Sequence, residues 1–380
     1  MDVKVYPSRL AGEIRAVDSK SAAHRAIFAA ALCQRPPELT IRDSSDDIRA
    51  SLGAARAIRE GRGEIDCAEC GATLRFALPV AAALGRTARF TGRGRLPERP
   101  IAPLVRALAA HGCAFSAERL PLELSGQLAS GVFELPGNIS SQFVSGLLLA
   151  LPALPGGGEI RLTSPLESAG YVDLTRAVLA DFGIAVEETS AGYRVPGGQT
   201  FAPPPTYAPE GDWSSAAFFL AANALGGSVR VTGLRQDSLQ PDRQIAALMA
   251  SLADLDAAKA PDLAPIMAVV YAATPGHWRI RNGARLRAKE SDRLTALAAC
   301  LKEIGADARV EGDEMAIRGQ ARLPGGTADA RGDHRLAMAL AIAACAAENP
   351  ITILGAQAVN KSYPGFFDDY RRLGGKADVL

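Results

Sequence analysis

Two patterns of apolar and polar positions alternate along this chain. The first is an amphipathic helix, a glycine, a strand, a turn and a second strand. LVRALAAHGCAFSAERLPLELSG (104–126), LTRAVLADFGIAVEETSAGYRVPG (174–197) and LAACLKEIGADARVEGDEMAIRG (297–319) are three copies of it. In each copy the glycine is expected to end the helix, because a left-handed cap suits a residue without a β-carbon. Alternating segments such as IAVEE then follow, as a half-buried strand requires. The second pattern is an almost wholly apolar helix, a Gly/Pro break and a strand. FALPVAAALGRTARFTG (76–92), FFLAANALGGSVRVTG (218–233) and MALAIAACAAENPITILG (338–355) carry it. Looser versions start near Ala26 and Val144, and DLAPIMAVVYAATPGHWRI gives a sixth. A helix that is apolar all round has no solvent face, so all six are expected to be buried.

Alternating the two patterns gives about six units of buried helix, strand, amphipathic helix and strand pair. Two units look abridged: after DDIRASLGAARAIREG and after PDRQIAALMASLADLD the hairpin is missing or rudimentary. The expected fold is therefore α/β (α+β), with two similar domains of three units each. A length of 380 residues agrees, being long for one core. Apolar residues at 48% with a net charge of +1 allow a large core and argue against disorder. Near-neutral charge and 6% aromatic residues give no basis for binding nucleic acid or an anionic membrane. The opening MDVKVYPSRLAGEIRAV is strand-like and interrupted by charge, so no signal peptide is expected there. Runs such as FVSGLLLALPAL are too short to span a bilayer.

Six cysteines (Cys33, Cys67, Cys70, Cys113, Cys300, Cys345) are scattered through mostly apolar segments, as reduced core residues of a cytosolic protein would be. CAEC at 67–70 has the spacing of half a zinc site, but no second CxxC accompanies it. His24, His111, His277 and His334 are far apart in sequence, so no metal site is expected. Of 42 basic residues only seven are lysine, and Lys20, Lys289 and Lys361 stand beside serines or acids at element ends.

The first turns of the apolar helices are polar. DSKSAAHR (18–25) opens one, with Ser21 and Arg25 four residues apart on one face. ECGATLR (69–75), GNISSQ (137–142), PDLAP (261–265) and RGDHR (331–335) open others. Capping accounts for any one of these starts, since serine, aspartate and asparagine are ordinary N-caps. Capping needs only one polar side chain, however, and leaves Lys20, Arg25, Arg75, Gln142 and Arg335 unexplained. Cations at helix N-termini oppose the dipole, whose positive end suits phosphate or carboxylate. With Arg99, Arg293 and Lys361 they imply ligands carrying several negative charges, and two anionic substrates fit better than one. AKESDRL (288–294) adds Lys289, Glu290, Asp292 and Arg293 at the start of an amphipathic helix. There Arg293 offers a fork for an anion and Glu290 a carboxylate able to move a proton; a surface ladder of ion pairs is the alternative.

In order along nearly the whole chain, SKSAAHR, GATLRF, LPERPI, SSQFVSGLL, YVDLT, EGDWSSAAFFL, PDLAP, KESDRL, GDHRLAMA and NKSYPGFF resemble the 5-enolpyruvylshikimate-3-phosphate synthase family of the enolpyruvyl transferase superfamily. The resemblance implies two domains of three βαβαββ units, hinged by two crossovers near residues 12–19 and 207–212. One domain would hold residues 1–18 and 209–380 and the phosphoenolpyruvate-side cations; the other, 19–208, would hold the shikimate 3-phosphate side. It further implies transfer of the enolpyruvyl group of phosphoenolpyruvate to the 5-hydroxyl of shikimate 3-phosphate through a tetrahedral intermediate. No metal or organic cofactor, nucleic acid or membrane is called for, and a cytoplasmic monomer whose domains close on its substrates is expected.

By position, Lys20, Gly71, Arg99, Gln142, Arg293, Arg335 and Lys361 would bind phosphoenolpyruvate. Lys20, Ser21, Arg25, Ser140, Ser141, Gln142, Ser168, Tyr171, Asp262 and Lys289 would bind shikimate 3-phosphate. Glu290, Asp262 and Lys20 are the expected catalytic residues. Departures from the commonest family pattern are Glu69-Cys70-Gly71-Ala72 for Asn-Ala-Gly-Thr, Asp18 for Gly, and Arg285 for Asn. The sister transferase acting on UDP-N-acetylglucosamine is a rival, but Ser21 follows Lys20 and GRGRLPERP carries no cysteine. A non-catalytic paralogue binding a phosphorylated acid is a second.

Overall fold

The computed structural model describes residues 1–42 and 44–380. Contacts divide the chain into two compact units: a terminal unit of residues 1–17 and 210–380, and an inserted unit of residues 18–209. The terminal unit begins with β1 (Val3–Tyr6) and β2 (Ala11–Arg15). The inserted unit then runs α1 (Lys20–Leu32), β3 (Glu38–Leu39), α2 (Asp46–Glu60), β4 (Glu64–Asp66), α3 (Gly71–Ala83), β5 (Ala88–Thr91), α4 (Ala102–Ala109), β6 (Cys113–Phe115) and β7 (Leu122–Gly126). It continues with β8 (Gly131–Leu135), α5 (Ser141–Ala150), β9 (Gly158–Leu162), α6 (Ala169–Asp181), β10 (Glu187–Thr189), β11 (Gly192–Val195) and β12 (Thr206–Tyr207). The terminal unit resumes with α7 (Trp213–Ala224), β13 (Ser228–Thr232), α8 (Ile245–Ser251), β14 (Leu255–Asp256), α9 (Ala264–Ala272), β15 (Gly276–Arg281), α10 (Arg293–Glu303), β16 (Asp307–Glu311) and β17 (Glu314–Gly319). It ends with β18 (Gly326–Asp329), α11 (His334–Ala343), β19 (Ile351–Leu354), α12 (Phe366–Arg372) and β20 (Lys376–Val379).

Three sheets repeat one topology: β4-β5-β7-β6, β8-β9-β11-β10 and β14-β15-β17-β16. In each, the first two strands are parallel and the last two form an antiparallel hairpin. A fourth, β18-β19-β1-β20, has the same plan, but β1 from the start of the chain takes the third place, pairing Val3 with Ile353 and with Val379. Among the described residues the two abridged units keep only parallel pairs, β2 with β13 and β3 with β12. As the pattern predicts, α2 and α8 are followed directly by the first strand of the next unit.

The apolar helices form the cores. In the inserted unit α1, α3 and α5 pack on one another, and in the terminal unit α7, α9 and α11 do so. Every residue of α9 is buried, and Phe28 of α1 meets Phe76 of α3 edge-on at 6.0 Å. Burying such a side chain stabilises by about 1.5–3 kcal/mol, so packing rather than propensity holds these helices. Their first turns are thereby left available for polar side chains. The amphipathic α6 and α10 end before Gly183 and Gly305, at φ +75° and +85°, where a β-carbon would be strained.

One boundary differs from the sequence expectation. The α10 helix begins at Arg293, with Asp292 as N-cap accepting from Thr295 N at 3.2 Å, so Lys289 and Glu290 lie in the loop before it. The cap wins because an aspartate side chain competes for the first free amide. Among the described residues no helix is long and apolar enough to cross a membrane, and all six cysteines are free and buried.

Candidate active site

In the terminal unit the starts of α9, α10 and α11 are tied together by one guanidinium. Arg293 is fully buried and reaches three carboxylates: Nη1 donates to Asp262 Oδ1 at 2.9 Å, Nη2 to Glu290 Oε2 at 2.5 Å, and Nε to Asp333 Oδ2 at 2.9 Å. Asp333, also fully buried, caps α11 through Arg335 N at 3.0 Å and accepts from Ser291 Oγ at 3.1 Å. Asp262 sits in the turn before α9 and accepts from Lys289 Nζ at 3.3 Å and Arg335 Nη2 at 3.2 Å as well as from Arg293. Burial alone would raise its pKa, but Arg335, Lys289 and Arg293 outweigh burial and hold the carboxyl well below the usual range. Burial likewise works against the Arg293 charge, and Asp333, Glu290 and Asp262 overcome it, raising that pKa. Lys361, buried, lies in the 3-10 turn Ala356–Lys361, which packs on α11.

In the inserted unit Arg25 plays the corresponding part for α1, α5 and α6. Its Nε donates to Thr175 Oγ1 at 2.7 Å, its Nη1 to Ser21 O at 2.6 Å, and its Nη2 to Tyr171 O at 2.8 Å and Ser145 Oγ at 3.4 Å. The guanidinium also lies over the Phe76 ring at 5.4 Å. All these partners are neutral, and the residue is only 3% exposed. Burial pulls the Arg25 pKa down to about 10. Ser140 caps α5, accepting from Gln142 N at 3.3 Å, and Ser141 follows as its first residue. Ser168 precedes α6 in the left-handed region at φ +56°, a conformation that costs a non-glycine residue roughly 1–2 kcal/mol. A buried cation held by dipoles alone is a place for an anion to dock.

The same unit gathers Gly71, Arg75, Arg99 and Gln142. A β-carbon at Gly71 would lie 2.7 Å from Arg75 Nη1 and 2.9 Å from Arg99 Cζ, so two guanidinium groups close on the bare backbone. Arg75 also donates to Gln142 Oε1 at 2.7 Å and lies 5.6 Å from the centre of the Phe143 ring. Lys20, the first residue of α1, pairs with buried Asp47 of α2 at 2.6 Å. Behind Lys20, His24 Nδ1 lies 2.7 Å from Ser51 Oγ, and burial pushes its pKa down to about 3, so the imidazole is neutral.

The structure corrects one sequence inference. The cations at helix starts are not all waiting for ligand charge: Asp47 answers Lys20, while Asp262, Glu290 and Asp333 answer Lys289, Arg293 and Arg335. Asp47, Asp333, Ser145 and Thr175 were not among the expected site residues. Ser145 had a signal, being a hydroxyl within a helix body whose neighbours are apolar; Thr175, beside Arg176 on the amphipathic α6, had none. Arg285, a departure from the family pattern, lies close enough to Lys289 to lower its pKa.

A family model described as EPSP synthase (3-phosphoshikimate 1-carboxyvinyltransferase) matches residues 5–253 and 245–370. A 3-phosphoshikimate 1-carboxyvinyltransferase of Clostridium kluyveri is 37% identical over 420 aligned positions, covering 99% of this chain and 98% of the relative. One of Clostridium acetobutylicum is 38% identical over 417 positions, covering 98% and 97%. The solved EPSP synthase of Acinetobacter baumannii superposes with a TM-score of 0.81 over the whole of both chains, at 21% identity, and so shares the fold.

Proposed function

We propose, from the premise that the chain belongs to the EPSP synthase family of 3-phosphoshikimate 1-carboxyvinyltransferases, that its three polar clusters serve that family's reaction. The reaction transfers the enolpyruvyl group of phosphoenolpyruvate to the 5-hydroxyl of shikimate 3-phosphate and releases phosphate, on the route to aromatic amino acids. The observation that carries the assignment is Arg25, a buried guanidinium whose hydrogen-bond acceptors among the described residues are all neutral. With Lys20, Ser21, Ser140, Ser141, Gln142, Ser168, Tyr171, Asp262 and Lys289 it is assigned to shikimate 3-phosphate. Lys20, Gly71, Arg99, Gln142, Arg293, Arg335 and Lys361 are assigned to phosphoenolpyruvate. The proposal takes the chain as a cytoplasmic monomer.

The chemistry begins when Glu290, released from Arg293 and protonated from solvent, delivers that proton to the methylene carbon of phosphoenolpyruvate. The oxygen of the 5-hydroxyl then bonds to the adjacent carbon, and its proton passes to the Asp262 carboxylate, or to the Lys20 amine once that ammonium has given up a proton to solvent. In collapse of the tetrahedral adduct, the new methyl group returns a proton to Glu290 and the carbon–oxygen bond to phosphate breaks. Arg293 links recognition to this step. A substrate carboxylate that takes Nη2 displaces Glu290 and leaves that side chain able to transfer a proton, while Asp333 keeps the guanidinium in place.

Purified chain given both substrates should release phosphate, and neither substrate alone should give any. Release with UDP-N-acetylglucosamine in place of shikimate 3-phosphate would favour the sister transferase; binding without release would favour a non-catalytic role.

Lys289 supplies a pH test. Burial first, then Arg293 and Arg285, lower its pKa to about 8 against the pull of Asp262 and Glu290, so its charge is present below that pH and lost above it. The KM for shikimate 3-phosphate is therefore expected to climb on the alkaline side, approaching about tenfold per pH unit. In Lys289→Arg, whose charge does not titrate in this range, the profile should be flat. An identical inflection in that variant would remove Lys289 from the residues assigned to shikimate 3-phosphate.

A further inference from the structure

One buried cluster has no part in the reaction as proposed, apart from the partner it lends to Lys20. His24 on α1, Asp47 on α2 and Cys70 at the N-cap of α3 each offer one ligand atom, and these atoms lie within 4.8 Å of one another. All three side chains are buried. His24 Nε2 is 3.9 Å from Cys70 Sγ; a tetrahedral zinc ion with bonds of about 2.0 Å to nitrogen and about 2.3 Å to sulfur would set those atoms roughly 3.5 Å apart. The other ring nitrogen is engaged, since Nδ1 lies 2.7 Å from Ser51 Oγ, which lies 2.6 Å from Thr73 Oγ1. Metal-binding histidines are oriented in this way, with the outer nitrogen held so that the inner lone pair faces the ion. Imidazole, thiolate and carboxylate together suit zinc and its softer congeners, not magnesium or calcium. The CAEC segment thus finds its partners on two other helices.

Lys20 decides how such a site works. Its Nζ is 2.6 Å from Asp47 Oδ2, and an ammonium and a divalent ion cannot share one buried carboxylate without strong repulsion. We propose that His24, Asp47 and Cys70 form a latent three-ligand site for a thiophilic divalent cation of the zinc class, and that this ion and the Lys20 ammonium compete for Asp47. Binding forms a metal–sulfur bond and releases the Cys70 thiol proton to solvent; no oxidant or reductant is involved. The inhibition expected from it rests on the role proposed above for Lys20; the binding itself does not.

The full chain is titrated with Cd²⁺ alone, bound metal is measured by equilibrium dialysis, and the sulfur-to-cadmium charge-transfer absorption is followed. One ion per chain with that absorption is expected. Cys70→Ser keeps an N-cap acceptor for Thr73 N and should lose the absorption and weaken binding by about 100-fold or more. Cys67→Ser should change neither. Lys20→Met should tighten binding, which a merely structural thiol would not produce. Absence of the absorption in the folded wild type, its survival in Cys70→Ser, or its loss in Cys67→Ser overturns the site. Unchanged affinity in Lys20→Met overturns the competition. Turnover is read separately: it should fall as Cd²⁺ occupies the site and return on chelation. Metal bound as expected with turnover untouched would count against the catalytic role of Lys20 and leave the metal site standing.

Discussion

Glu290→Gln should fold as the wild type does and lose about 10²–10⁴-fold in kcat, the range that a positioned acid–base group contributes. Glutamine keeps the shape and an oxygen that can accept from Arg293 Nη2, which in the wild type lies 2.5 Å from Glu290 Oε2. What it lacks is a transferable proton. Arg293 retains Asp333 and Asp262 in the variant, so the buried guanidinium stays paired and the fold is spared. The KM values should move little, because neither substrate depends on the Glu290 charge for its main contacts. Steady-state phosphate release beside a thermal unfolding curve checks both halves. Wild-type turnover in a folded Glu290→Gln would end the assignment.

Asp333→Ala should have the largest effect on stability, a loss of about 3–5 kcal/mol. Asp333 and Arg293 are both fully buried, and the pair is joined by Nε–Oδ2 at 2.9 Å and Nη2–Oδ1 at 3.2 Å. Deleting the carboxylate leaves part of a buried positive charge without its partner, removes the acceptor for Ser291 Oγ, and uncaps α11 at Arg335 N. The effect can be read locally. Trp213 and Trp278, the chain's two tryptophans, both belong to the terminal unit, so tryptophan fluorescence during urea unfolding reports that unit. A midpoint close to that of the wild type would mean that Asp262 and Glu290 suffice to hold Arg293, contrary to the role given to Asp333.

Much of the fold is written locally. The six central helices are legible because they are apolar all round, and the hairpins because a glycine stop precedes an alternating strand. The place of β1 is not, since Val3 pairs with Ile353 and no local pattern names so distant a partner. The candidate site divides in the same way. Cations and serines at helix starts stand out against apolar bodies, and the family resemblance gave them roles. Their partners do not stand out: Asp47 reaches Lys20 from the next helix, and Asp333 reads as an ordinary N-cap until Arg293 is seen against it. Not every cation at a helix start therefore awaits a ligand: local carboxylates already answer several of them, and Arg25, held by neutral groups among the described residues, is the better guide to an anion.

The direct test of proton transfer by Glu290 is isotope exchange at carbon. Phosphoenolpyruvate and shikimate 3-phosphate are incubated with the chain in heavy water, and deuterium in the methylene position of recovered substrate and product is measured by NMR. Wild type should incorporate deuterium during turnover, and Glu290→Gln should do so more slowly by about the factor lost in kcat. Incorporation by the variant at the wild-type rate would show that another group carries the proton.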